Sequence, residues 1–310
     1  MGLFILPKKV TDQVDKLLRS FLWRGTDQKI NGANVAWASI TCLKSEGGLC
    51  IRKTEVWNRA CMAKLIWNLC QINSTSLWVN WVKVHLLREH SFWDIPIPNN
   101  CSWTWRKLLQ LRGEIRPFIH HIIGDGRHTW LWFDSWLPFG PILPRFNERV
   151  IYDSALARQT RVATIISDGQ WVWPIANSPN LLILKQAIPN SMVPHMVIWS
   201  PSGSGKFTTK TAWHALRVRH SLVTWDKLIW FHYVIPKCGF ILWLAIRERL
   251  GTLDRLYTAS ANGTCLLCNN QAETHDHLFF KCAFTKEIWG ALKQKCRLSF
   301  GDLSWKDCIS

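Results

Sequence analysis

CLLCNNQAETHDHLFFKC, residues 265–282, decides how the last third of this chain folds. Cys265 and Cys268 stand three apart, a separation at which two thiolates converge around one tight turn. His277 and Cys282 follow across a short polar insertion, spaced as in a turn that enters a helix. These four donors have the composition of a closed tetrahedral zinc site. With four protein ligands and no open position, the ion expected is a structural Zn2+. The stretch has few apolar groups to hold its shape, so metal binding should supply folding free energy directly. His275 competes with His277 for the fourth place; it lies nearer the polar loop 269–273, which favours His277. A redox role for the Cys-x-x-Cys pair would leave His277 and Cys282 unexplained.

Working outward, Phe284, Ile288, Trp289 and Leu292 recur at helical spacing and predict a closing helix beside the cluster. Upstream, Ala212, Trp213 and Leu216 line one helical face. Two short helices follow, over 225–230 and 240–250, with Gly251 placed as a C-cap. Arg247, Arg249 and Arg255 precede the cluster, while Lys281, Lys286 and Lys293 lie within it or after it. These six are candidate nucleic-acid contacts through phosphate. Solvated helix faces would show the same pattern.

The first half reads as helix. Val10, Val14, Leu17, Leu18, Phe21 and Leu22 mark a helix over 10–23, with Thr11 as N-cap and Gly25 as its stop. Asn31-Gly32 and Gly47-Gly48 read as turns. A wide apolar face predicts a second helix from Thr54 to Cys70: Val56, Ala60, Ala63 and Trp67 form a stripe that Trp57, Cys61 and Leu65 broaden. Residues 77–87 continue in this style until Pro96 and Pro98, and a short helix is expected over 104–111. In the middle, Gly124-Asp125-Gly126 is a tight turn before HTWLWF (128–133), which reads as a strand. Ser167-Asp168-Gly169 followed by WVW predicts a second turn into a strand. The expected fold is mainly α with a β-containing middle segment and a small C-terminal CCHC zinc-binding module. Its segments are 1–112, 113–205, 206–298 and a tail over 299–310.

Composition sets the partner class. The chain carries 38 Lys and Arg against 21 Asp and Glu, a net charge of +17 spread along its length. A diffuse positive field favours a polyanion, so RNA or DNA is the expected partner. Twenty-one tryptophans imply either aromatic cores or exposed platforms, and the latter would let a Trp-rich surface take a protein partner. Eleven cysteines are an odd number, and MGLFILPKKV lacks the pattern of a secretory leader. An intracellular protein of nucleus or cytoplasm, not secreted, is the expectation. The apolar run 238–246 is too short to span a bilayer, so no membrane role is expected.

Two catalytic patterns fail on inspection. SPSGSGKFTTKT (200–211) resembles a phosphate loop, but the motif needs glycine where Ser200 stands, and Phe207 follows Lys206. Asp125 and Asp134 have no acidic third partner at a spacing that would hold catalytic metal.

GKFTTKTAW (205–213), LIWFHYVIPKCGFILWLAIRERLGTLDRL (228–256) and CLLCNNQAETHDHLFFKCAFTKEIW (265–289) together resemble the zinc-binding domain at the end of plant non-LTR retrotransposon reverse transcriptases. Trp230, Pro236, Lys237, Phe240, Trp243, Thr252, Asp254, Leu256, Glu273 and Trp289 match its landmarks, as do Cys265, Cys268, His277 and Cys282. LPKKVTDQVDKLLRSFLWRG (6–25), KSEGGLCIRKTEVWNRACMAKLIWNL (44–69) and IGDGRHTWLWFDSWLP (123–138) are similar to the connecting region of the same polyproteins. In that family the polymerase palm, with its paired aspartates, precedes this region. The resemblance therefore implies a noncatalytic, zinc-stabilised nucleic-acid-binding region and no enzyme. An assembly or scaffold module, or a retroelement remnant without function, is the alternative.

Overall fold

The computed structural model describes residues 4–24, 35–72, 74–173, 178–188, 194–255, 263–297, 299 and 301. Gly25, the Asn31-Gly32 turn, Leu256 and nearly all of the tail 299–310 lie outside the described residues. The helices of the first half are α1 (Lys8–Arg24), α2 (Trp37–Ile40), α3 (Thr54–Cys70), α4 (Leu77–Val82) and α5 (Trp103–Ile115). The middle holds β1 (Ile119–Ile122), α6 (Leu143–Phe146), α7 (Arg149–Ser154), β2 (Ile166–Ser167), β3 (Gln170–Trp171), α8 (Pro179–Ala187) and β4 (Met196–Trp199). Then come α9 (Thr209–Leu216), α10 (Asp226–Ile229), α11 (Pro236–Ile246) and α12 (Ala283–Cys296). The fold is mainly helical, with a small β-containing middle and a C-terminal Cys/His cluster.

Two compact units emerge, each assembled from separated parts of the chain: Met1–Val14 with Thr54–Val218, and Asp15–Lys53 with Arg219–Ser310.

In the first unit α3 packs against α5 and α9. Ala60, Met62, Ala63 and Ile66 are fully buried on it, whereas Trp57, Cys61 and Leu65 are only half-buried. The N-terminus of α9 is held by a capping box in which Thr208 Oγ1 accepts from Thr211 N at 3.1 Å. β1 and β4 pair antiparallel, Ile119 opposite Trp199 and Ile122 opposite Met196. The predicted turn at Asp168-Gly169 joins β2 to β3 as a hairpin, Ser167 opposite Gln170.

Residues 128–133 are not a strand. They form turns with a single bridge, Trp130 to Arg161. Leu131, Trp132 and Phe133 are all buried, whereas successive strand residues point to opposite faces. Asp134 Oδ2 accepts from Trp130 N at 2.7 Å and closes the turn. Burial of three consecutive large side chains overrides their β-propensity. Three helix boundaries also shift. Thr11 lies inside α1, its hydroxyl donating to Lys8 O at 2.8 Å, because the helix already starts at Lys8, where the carbonyl of the flanking Pro7 accepts from Val10 N and Thr11 N. The helix expected over 104–111 extends across Trp103–Ile115, with Ser102 Oγ accepting from Trp105 N at 3.3 Å. α11 stops at Ile246, short of Gly251: Glu248 takes the left-handed conformation (φ 53°), and Arg249 N closes on Leu244 O at 2.7 Å.

Eight of the twenty described tryptophans are buried and ten are half-buried. Trp132, Trp136, Trp199 and Trp243 are essentially inaccessible. Each indole N–H has an acceptor: Ala157 O, Leu131 O, Thr211 Oγ1 and Gly47 O, all at 2.9–3.0 Å. Buried indoles of this kind supply apolar area without stranding a donor. Among the described residues only Trp81 and Trp103 are exposed.

The first unit also carries a pH dependence. Burial, and then the neighbouring His121, hold His120 and His195 below the usual imidazole range; Asp125 and Asp134 oppose this weakly at His195. Unfolded histidines protonate near pH 6.5. The unfolded chain thus takes up protons before the folded one, and stability should fall as pH drops below about 6.5. Urea midpoints at pH 7.5 and 5.5 measure this loss. His195→Phe should reduce the difference, which separates it from protonation elsewhere in the chain.

In the second unit the core is Val35, Ile40, Ile229, Trp243, Leu244 and Ile246, flanked by Trp23, Trp37, Trp225 and Phe240. Gly47 is buried beside Trp225 with φ 82°, as the predicted turn requires. Its carbonyl accepts from Trp243 Nε1 at 2.9 Å and from Arg247 Nε at 3.2 Å.

Candidate metal centre

The cluster is assembled by a short hairpin, a turn and the start of a helix. Thr264 and Ala272 form a bridge, Cys265 N donates to Gln271 O at 2.7 Å, and Asn269 N donates to Cys265 O at 2.8 Å. Asn269 adopts the left-handed conformation (φ 50°), which asparagine tolerates and which turns the Cys265–Cys268 loop back on itself. His277 opens a wide helical turn, Cys282 N donates to His277 O at 2.7 Å, and Cys282 is the N-cap residue of α12.

One donor atom from each of Cys265, Cys268, His277 and Cys282 lies within 4.8 Å of all the others. Cys265 Sγ is 4.0 Å from Cys282 Sγ, and Cys268 Sγ is 3.3 Å from His277 Nε2. A tetrahedral ion with Zn–S bonds of about 2.3 Å would place sulfurs about 3.8 Å apart, close to this spacing. Cys265, His277 and Cys282 are buried, and Cys268 is half-buried. Donor chemistry, spacing and burial are together consistent with a structural zinc site.

Local electrostatics favour thiolate at one corner. Backbone N–H groups of Asn270 and then Gln271 hold the Cys268 thiol down to about 6, since donors aimed at sulfur stabilise its charged form. Burial pushes the Cys282 thiol up. A bound dication would supply the missing stabilisation there and cross-link the hairpin to α12. Glu273 ties the module to the preceding chain: it is buried, its Oε1 accepts from Leu253 N at 3.1 Å, and its carbonyl accepts from Asp254 N at 3.4 Å. His275 stands outside the four-atom cluster, buried, with neither ring nitrogen hydrogen-bonded.

The six basic residues divide. Arg247 serves the interior, with its Nε on Gly47 O and its guanidinium 5.4 Å from the Trp243 ring centre. Arg249, Arg255, Lys281 and Lys286 are exposed, and Lys293 is half-buried. Arg255 pairs with Glu248 at 3.3 Å, and Lys281 with Asp276 at 3.4 Å. Such exposed pairs are weak and exchangeable.

Comparison with known proteins places this geometry. Residues 207–289 match the family model described as zinc-binding in reverse transcriptase. The chain is 27% identical over 312 residues to a putative ribonuclease H protein of Arabidopsis thaliana, covering 93% of this chain and 48% of that protein. It is 26% identical over 148 residues to an uncharacterized mitochondrial protein of the same plant, covering 47% of this chain and 96% of that one. The chain thus spans about half the length of the first relative. No solved structure matches.

Proposed function

We propose, from the premise that residues 207–289 carry a zinc-binding domain of the reverse-transcriptase type and not a catalytic core, that this chain is a noncatalytic region that binds RNA or DNA. The observation that carries the reading is the outer side of α12. Lys286, Gly290 and Lys293 recur three and four apart on one face, next to the cluster that holds the helix in place. A Cβ added at Gly290 would meet nothing within 4 Å, so a phosphate backbone can approach the helix closely. Arg249, Arg255 and Lys281 add exposed positive charge within the same unit, and the net charge of +17 supplies long-range attraction.

This reading gives affinity without strong sequence preference. With three to four phosphate contacts, the slope of log K against log salt should be about −3 for duplex DNA. Lys286→Gln and Lys293→Gln should each flatten it by roughly one. A salt titration of the metal-loaded full chain measures this; absent or salt-independent binding by a folded sample would favour a protein-assembly role. A reducing setting, in the nucleus or cytoplasm, suits a site that needs three thiolates. Among the described residues no helix is long and apolar enough to cross a membrane.

A further inference from the structure

The turn between α10 and α11 shows large side chains to solvent from a firmly held backbone. Phe231 is 53% exposed, Tyr233 85% and Ile235 65%. His232 is also exposed, its ring centre 4.6 Å from that of Tyr233. The intervening positions anchor the turn. Ile229 is fully buried, and Lys44 Nζ lies 4.3 Å over the Trp230 ring. A Cβ at Gly239 would meet Val234 Cγ2 at 3.0 Å and the Trp230 ring at 3.2 Å, so the backbone there is closely packed. Trp230 N donates to Asp226 O at 2.9 Å, Val234 N to Phe231 O at 3.2 Å, and Gly239 N to Ile235 O at 2.9 Å. Phe231 and Tyr233 are therefore displayed by a braced turn.

The charge around these rings selects their occupant. Lys227 and Lys237 flank the turn and are exposed, and Asp226 is the one acidic residue between 219 and 241. A second copy docked turn to turn would bring lysine against lysine. An apolar protein partner would have to bury His232 between the two rings. A strand with unpaired bases and phosphates matches both features: bases stack on aromatic faces, and phosphates meet ammonium groups. Duplex nucleic acid has its bases stacked internally and leaves the rings unused.

We infer that residues 227–237 form a stacking platform for unpaired nucleotides of single-stranded RNA or DNA. Tyr233 and Phe231 take the bases, and Lys227 and Lys237 take the phosphates. The inference rests on the nucleic-acid reading above and adds the class of strand that is bound.

The test uses the metal-loaded full chain with fluorescein-labelled oligo(dT), oligo(rU) and a blunt duplex of equal length, titrated over a salt series. At least one single strand should bind about tenfold more tightly than the duplex. Tyr233→Ala should weaken single-strand binding roughly tenfold with the salt slope unchanged, and Tyr233→Phe should restore it to within about twofold. Lys237→Gln should instead flatten the slope by about 0.7. Tyr233 is mostly in solvent, so these variants should keep their helicity and zinc content, which circular dichroism and metal analysis verify. If duplex binds as tightly as single strand and Tyr233→Ala changes neither, the platform is wrong while salt-sensitive binding still stands. If no probe binds in a salt-sensitive way, the nucleic-acid reading itself fails. A Tyr233→Ala effect confined to self-association, seen by sedimentation, would reassign the turn to contact between copies and overturn the inference.

Discussion

Removing zinc, or replacing Cys265 by Ser, should abolish the ordered structure of residues 263–297. α12 has no buried residue along its fourteen positions, and an isolated helix of that length is marginal in water. Its attachments within the module are local: Trp289 Nε1 donates to Phe279 O at 2.8 Å, and Trp289 stacks on Phe280 at 6.0 Å. Apparent zinc affinities of small structural sites are worth about 10–16 kcal/mol at neutral pH, comparable to the whole stability of a domain. Chelation should therefore lower the ellipticity at 222 nm, and hydrogen exchange over 283–296 should rise toward the unfolded rate. Stoichiometry should be one zinc per chain. The fourth ligand has its own test: His277→Ala should lose the metal and His275→Ala should retain it, as read by metal analysis after dialysis. Retention in His277→Ala with loss in His275→Ala would reverse the assignment.

Trp243→Ala should destabilise the second unit by about 3–5 kcal/mol, the usual cost of emptying a buried tryptophan site. The side chain is fully buried among Ile229, Leu244 and Ile246 and stacks on Phe240 with ring centres 5.7 Å apart. Its loss also removes one of the two donors to Gly47 O, and Arg247 loses the ring beneath it. Trp243→Phe separates these contributions. It retains much of the apolar volume but not the indole N–H, and should cost more nearly 1–2 kcal/mol. Urea unfolding of the zinc-loaded chain, followed by circular dichroism, measures both variants. Equal effects of the two would show that the hydrogen bond, not the packing, dominates.

How much of this was readable in advance depends on the range of the forces involved. The helix expected from about Thr54 to Cys70 forms over that span, because helical periodicity over seventeen positions is a local signal. Ends were less legible: expectation placed them at Thr11, Thr104 and Gly251. Yet the carbonyl of Pro7, the Ser102 cap and the left-handed Glu248 decided the boundaries. The strand expected over 128–133 failed because its aromatic residues are spent on a core drawn from distant segments, with Trp132 reaching Ala157 and Leu131 reaching Thr160.

For the metal centre, residue type and spacing were enough to pick out Cys265, Cys268, His277 and Cys282, since ligands so close in the chain need only short loops to meet. Which arginine faces inward could not be read that way. Arg247 and Arg249 are two residues apart with the same charge, and Gly47, about two hundred positions away, captures one and leaves the other in solvent. The same holds for the aromatic residues: composition counts tryptophans but not their surroundings. Local chemistry thus specified the helices and the cluster of soft ligands. Burial specified the rest, because whether a ring or a charge meets water depends on segments that only the folded chain brings together.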